Sequence, residues 1–233
     1  MRDVIVKNTF DLESADVRLL NQQLQQNNGT QDQLEYLVNN PRGKHAIAAG
    51  IDSIANVNID GHVGYYCAGM NKFANITISG NAGSGVAENM MSGKVTVKGN
   101  ASQYAGASGH GGLLVIEGNA AARCGISMKG IDIVVGGSIG HMGAFLGQAG
   151  SLVICGDAGD ALGDSVYEVQ IFVQGRVKSL GTDCIEKEMT TDHIEKLGGL
   201  LQKANIDADV TKFKRYGSAR NLYNFNIDNA SLS

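Results

Sequence analysis

Glycine recurs every 19 residues in this chain, at Gly61, Gly80, Gly99, Gly118, Gly137, Gly156 and Gly175, with no copy missing. A period this strict constrains the fold more than any other feature, because residues one period apart must occupy equivalent places in successive units. Four residues before each glycine stand Val57, Ile76, Val95, Leu114, Ile133, Leu152 and Ile171, and two before it stand Ile59, Ile78, Val97, Ile116, Val135, Ile154 and Val173. All are aliphatic, while the residues between them (Asn58, Thr77, Thr96, Val115, Val134, Val153, Phe172) are mixed. Each copy therefore opens with a short strand whose alternate side chains face a core. The period is too short for a βαβ unit of roughly 30 residues and for a propeller blade of about 40. It suits one coil of an all-β solenoid, a parallel β-helix of about seven coils stacked about 4.8 Å apart, roughly 30 Å in all.

Stacking makes demands on the other columns, since neighbours in a column touch. One residue after the glycine the column reads His62, Asn81, Asn100, Asn119, Ser138, Asp157, Arg176, which predicts an asparagine ladder joined by side-chain amides. Two after it come Val63, Ala82, Ala101, Ala120, Ile139, Ala158 and Val177, and seven after it Ala68, Ala87, Gly106, Gly125, Ala144, Gly163 and Thr182, both reading as small inward columns. The column four after it (Tyr65, Ser84, Gln103, Ala122, His141, Asp160, Ser179) is mostly polar and reads as outward. The corner glycines themselves are expected to supply positive φ or close packing.

A solenoid exposes an apolar cross-section at each end and needs caps. Residues 14–28 place Val17, Leu20 and Leu24 on one helical face, with Ser14 as N-cap and Gly29 as stop, and residues 31–39 read as a second short helix before Pro41. At the other end, residues 190–205 put Ile194, Leu197 and Leu201 on one face, with Asp192 and Glu195 in capping-box spacing. The organisation predicted is an N-terminal cap over 1–50, the β-helix over 51–183, and a C-terminal helix with an aperiodic basic-aromatic tail over 184–233.

Of 233 residues 43% are apolar, and the net charge of −4 argues against a nucleic-acid or anionic-membrane binder. The N-terminal stretch has no apolar core of signal-peptide length, so a cytoplasmic protein is expected. Cys67, Cys124, Cys155 and Cys184 form no C-x-x-C pair, and Cys67 and Cys124 share a column three coils apart, too far for a disulfide. His62, His110 and His141 fall at different places in their coils and predict no zinc site. The stretch "GSGVAE" (83–88) has Glu88 where a dinucleotide fingerprint needs glycine, and "GKV" (93–95) has Val95 where a P-loop needs Ser or Thr. Asp157, Asp160, Asp164 and Glu168 gather in one coil without matching a calcium-loop pattern, and read as a solvated rim. No catalytic, cofactor or metal residue is expected in this chain.

With the coil established, the chain resembles the GXGXG-repeat β-helix family, which forms the C-terminal domain of the glutamate synthase large subunit and one of the subunits of formylmethanofuran dehydrogenase. Within it, "GKHAIAAG" (43–50) and "KFKRYGSARNLYNFNIDNA" (212–230) are similar to the flanks of the small β-helix subunit of N-methylglutamate synthase. The resemblance implies a right-handed coil without catalytic residues, held in a complex with a glutamine-amidotransferase-like subunit and a barrel subunit that holds FMN and an iron–sulfur cluster. The implied reaction exchanges the amine of glutamate for methylamine, giving N-methylglutamate and ammonia. Arg215, Tyr216, Arg220, Asn221 and Tyr223 are the candidate partner contacts, because a basic-aromatic segment outside the period suits an interface. A component of a glutamate synthase or of formylmethanofuran dehydrogenase, a coil-built lyase or acyltransferase, and a stand-alone binding solenoid are the alternatives.

Overall fold

A computed structural model of the chain describes residues 6–26 and 34–221. Its elements in chain order are β1 Val6–Asp11, α1 Val17–Gln26, β2 Leu34–Asn39, β3 Ala55–Asp60, β4 Asn75–Ile78, β5 Lys94–Val97 and β6 Leu113–Ile116. They continue with β7 Lys129–Val135, β8 Ala149–Ile154, β9 Gln170–Val173, β10 Cys184–Lys187, α2 Thr191–Ala204, a 3-10 turn Val210–Lys212, and β11 Lys214–Ser218. The strands form one sheet in the order β1-β2-β3-β4-β5-β6-β7-β8-β9-β11-β10. From β1 to β9 every pair is parallel, and the register joins Val57 to Ile76, Val95, Leu114, Ile133, Leu152 and Ile171 in turn. The chain is a parallel β-solenoid, and both aliphatic columns of the repeat are buried at 1% exposure or less.

Gly61 has a φ of 137°, but the six corner glycines after it are required by space and not by φ. From Gly80 to Gly175 none has positive φ, but a Cβ on Gly80 would stand 2.6 Å from the carbonyl carbon of Gly61 and 2.7 Å from His62 Nδ1. The residue after each glycine explains why. Asn81 Oδ1 accepts the backbone N–H of Asn100 at 2.8 Å, Asn100 Oδ1 that of Asn119, and Asn119 Oδ1 that of Ser138. His62 Nδ1, Ser138 Oγ and Asp157 Oδ1 do the same for Asn81, Asp157 and Arg176. The predicted amide-to-amide ladder is thus a ladder from side-chain acceptor to backbone donor, which any residue with a nearby acceptor can continue. Glycine leaves the room through which that side chain reaches the next rung.

Opposite the strands, each coil turns back through alternating left-handed residues. Tyr66, Ala68 and Met70 have φ of 59°, 57° and 55°, and Arg123, Gly125 and Ser127 repeat the pattern three rungs on. Their N–H groups bond to neighbouring rungs on both sides, as Met70 to Glu88 O and Ala68 to Ile47 O. Left-handed φ costs a β-branched residue most, and the central residue of each triplet points into the core, so only Ala or Gly fills that column from Ala68 to Gly163.

At the N-terminal end the structure corrects three expectations. Leu34–Asn39 is a strand, and with residues 46–50 in the left-handed turn it completes a coil ahead of residue 51, so the sheet does not begin there. The break in period hid it: β2 and β3 are offset by 21 residues (Leu34 to Ala55), and Pro41 lies where its ring meets Gly61. Helix α1 seals this end with Leu20 and Leu24, both buried. Its N-cap is Asp16, whose Oδ1 accepts the Arg18 N–H at 2.9 Å, and not Ser14. The expected stop at Gly29 lies outside the described residues.

The C-terminal end closes by reversal. Strand β11 runs antiparallel against β9, where the next coil would sit, and β10 pairs antiparallel outside it. Helix α2 lies across the outer face of the sheet. Val115, Val134, Val153 and Phe172, the between-column residues of the last four coils, form a second core with Leu197, Leu200, Leu201, Ala204 and Phe213. Fourteen helical residues span about 21 Å, the reach of four sheet spacings at about 4.8 Å. Accordingly Lys94 Nζ, on β5, meets Lys203 O at the helix C-terminus while His193, at the N-terminus, faces Phe172 on β9. The helix begins with Thr190 as N-cap and His193, not Glu195, as its capping-box partner: His193 Nδ1 accepts the Thr190 N–H at 3.2 Å. Ile194 is 39% exposed and lies off the buried face.

Candidate functional site

The charged columns of the coil are internally paired. Asp157 accepts the Arg176 N–H at 2.7 Å, and that bond with the Arg176 charge holds its carboxyl below the usual range. Asp160 is held low by Lys178 Nζ at 2.7 Å, and Glu168 is bound by Arg220 Nη2 at 2.8 and 3.0 Å. Asp157 and Asp160 therefore meet cations of the next turn, Glu168 meets an arginine of the tail, and Asp164 Oδ1 accepts the Ser165 hydroxyl at 2.7 Å. Among the described residues no three His, Cys, Asp or Glu groups come together as metal ligands. Cys67 and Cys124 are buried free thiols pushed up to about 12 by desolvation, and Cys155 to about 11 for the same reason. A thiol that high is protonated and a poor nucleophile near neutral pH. A groove of about 430 Å³ over Ser138, Asp157 and Arg176 is walled by the ladder, whose acceptors are already in use.

The tail residues divide. Tyr216 is only 6% exposed and packs in the coil core beneath the end, so it is a cap residue and not a surface contact. Arg220 reaches Glu168, and the Asn221 N–H donates to Asp183 Oδ1 at 3.0 Å, so both tie the tail to the last coil. Tyr223 lies outside the described residues. Arg215 is half-buried; its Nε donates to Glu188 O at 2.8 Å, and burial works against its charge. Arg215 and Arg220 share a polar cavity of about 220 Å³ with Glu168, Gln170, Lys187 and His193, set among the last coil, the α2 N-terminus and the β10–β11 pair. Sequence reasoning did not find Gln170, Lys187 or His193, since they come from three elements whose convergence depends on β11 reversing direction.

The fold and this surface together define a class: a rigid parallel β-solenoid, capped at both ends, with a cluster of unperiodic charged side chains at its C-terminal end. Comparison with known proteins is more specific. The chain is 63% identical over 222 residues to Protein GlxC of Rhizobium meliloti (strain 1021), covering 95% of this chain and 97% of that one. The chain belongs to the GlxC family. No protein-family model matches it, and no solved structure does. No helix of the described residues is long and apolar enough to cross a membrane.

Proposed function

We propose that the chain is a non-catalytic scaffold subunit of a glutamate-synthase-like flavoenzyme complex, in the particular form of an N-methylglutamate synthase. Its partners are an amidotransferase-like subunit and a barrel subunit holding FMN and an iron–sulfur cluster, and it works in the cytoplasm. The observation that carries the reading is the unbroken in-register coil, in which acceptors, cations and carboxylates are consumed in holding one rung to the next. Such a body is stiff and presents fixed surfaces, which suits holding two other subunits at a set distance. The link to glutamate chemistry rests on the family resemblance of the coil and its flanks, an argument from fold and motif and not from a site.

The test is affinity purification of the tagged chain from its native host, with mass spectrometry of what comes with it and assay of the eluate for methylamine-dependent formation of N-methylglutamate. Amidotransferase-like and FMN-barrel chains in fixed ratio are the expected result. Recovery of the chain alone, under conditions that preserve other complexes, would sink the proposal. Co-purification with those chains but with ammonia as the only amine accepted would move the assignment to a glutamate synthase.

A further inference from the structure

Two of the long cationic side chains lining the cavity at the C-terminal end, Lys187 and Arg215, are half-buried, whereas such side chains ordinarily lie exposed, as Arg220 beside them does. Among the described residues Arg215 spends only Nε, on Glu188 O, and no acceptor meets its two terminal nitrogens. Lys187 Nζ donates to Ser218 O at 2.7 Å, one of its three donor positions. Gln170 lies on the cavity wall with Oε1 shut away from solvent and without a donor, which leaves Nε2 as the amide end toward the cavity. Its register neighbour Ser151 has a fully buried hydroxyl that is also without a partner, so a donor for Oε1 sits one rung away. Glu168 is the carboxylate in the lining, and Arg220 binds it through both oxygens. Beyond the lining, Asp183 accepts the Ser218 hydroxyl at 2.6 Å and the Asn221 N–H at 3.0 Å, and Glu188 and Asp192 are further nearby acids, both exposed. The positive end of the 14-residue helix α2 adds to the same sign, with His193 of its first turn on the wall. Unspent donors thus converge on one small cavity.

We propose that this cavity binds a small carboxylate, with the terminal nitrogens of Arg215 as a planar fork and Lys187 Nζ and Gln170 Nε2 as further donors. The guanidinium fork matches the two oxygens of a carboxylate, and its burial strengthens the pairing over what the same arginine would offer in bulk water. The proposal stands apart from the assembly reading, because it concerns the purified chain alone.

The experiment is isothermal titration of the full chain with sodium acetate at constant ionic strength, with sodium chloride and sodium phosphate as comparison probes. A saturable acetate isotherm is expected, with no counterpart for chloride. Arg215→Gln should weaken it by about tenfold or more, the loss typical of a charge-assisted pair. Lys214→Gln removes a neighbouring cation that pairs with Glu186 and does not line the cavity, so acetate binding should be unchanged. Gln170→Leu, which keeps the side-chain volume, and Lys187→Gln provide the same reading should Arg215→Gln fail to fold by circular dichroism. Acetate heats matching those of chloride, or an equal loss in Lys214→Gln, would overturn the site. Tighter binding of phosphate than of acetate would overturn the carboxylate assignment.

Discussion

Replacing Gly118 by alanine tests the reason the period exists. An added Cβ would overlap Asn100 Oδ1 and stand 2.8 Å from Gly99 O and 3.0 Å from Gly99 C. Backbone of the preceding rung cannot yield without disturbing its own ladder, so Asn100 must swing away and its bond to the Asn119 N–H, 2.8 Å long, is lost. Overpacking of this kind costs about 1–3 kcal/mol, and the lost hydrogen bond about 1 kcal/mol. Together they predict about 2–4 kcal/mol, a fall in Tm of about 4–16 °C for a chain of this size. Since φ at Gly118 is not left-handed, the penalty is steric, and removing the obstructing side chain should return part of it. The double variant Asn100→Ala/Gly118→Ala is therefore expected to be more stable than Gly118→Ala by about 1 kcal/mol, although Asn100→Ala alone destabilises by about that amount. Urea denaturation followed by circular dichroism measures all three. If the double variant loses the sum of the two single losses, the glycine column does not exist to admit the ladder and the reasoning fails.

Other consequences follow from the ends and the surface. Gly199 lies in α2 with nothing within 4 Å of an added Cβ, so Gly199→Ala should raise stability by about 0.5–1 kcal/mol, read as a higher urea midpoint; a lower one would refute it. Phe172→Ala should cost about 3–5 kcal/mol locally and release α2, seen as faster amide exchange over Thr191–Ala204 while the β3–β5 amides keep their protection. His193 has its affinity for a proton lowered, first by burial and then by Arg215, and its neutral Nδ1 accepts the Thr190 N–H. A depressed folded value means stability that is present above the unfolded value of about 6.5 and lost as pH falls through the lower folded value, so the wild type should lose α2 protection as the pH is lowered through that range while His193→Gln, whose carbonyl cannot protonate there, should not. Cys67 and Cys124, with thiols raised to about 12, should resist iodoacetamide at pH 8 in the native chain and react in urea, as measured by mass spectrometry.

The hydrogen-bonded ladders show why so much of the coil was legible. Val57 and Ile76 touch because they are 19 residues apart in a structure whose every rung repeats that separation, so a contact between distant strands leaves a regular mark in the sequence. The change from Asn58, Thr77 and Thr96 to Val115, Val134, Val153 and Phe172 is a second mark: an outward column turns apolar where α2 covers it. What could not be read were contacts made once. Leu34–Asn39 joins the sheet with a 21-residue offset, and a single departure from the period is indistinguishable from its end. Nothing in "KRYGS" announces that it will pair backwards against β9, yet that reversal buries Tyr216 and brings Arg215 to Gln170.

The sequence by itself determined the period, the register of seven coils and which columns face inward, because a solenoid's interactions are near neighbours repeated at constant spacing. Tertiary structure alone decided how the ends are closed, that the ladder runs from side chain to backbone, and that a cavity of cationic side chains forms where the period stops. There, segments without a shared repeat meet through packing and hydrogen bonding that no sequence separation encodes, and the chain has room for side chains that the stacked coils do not allow.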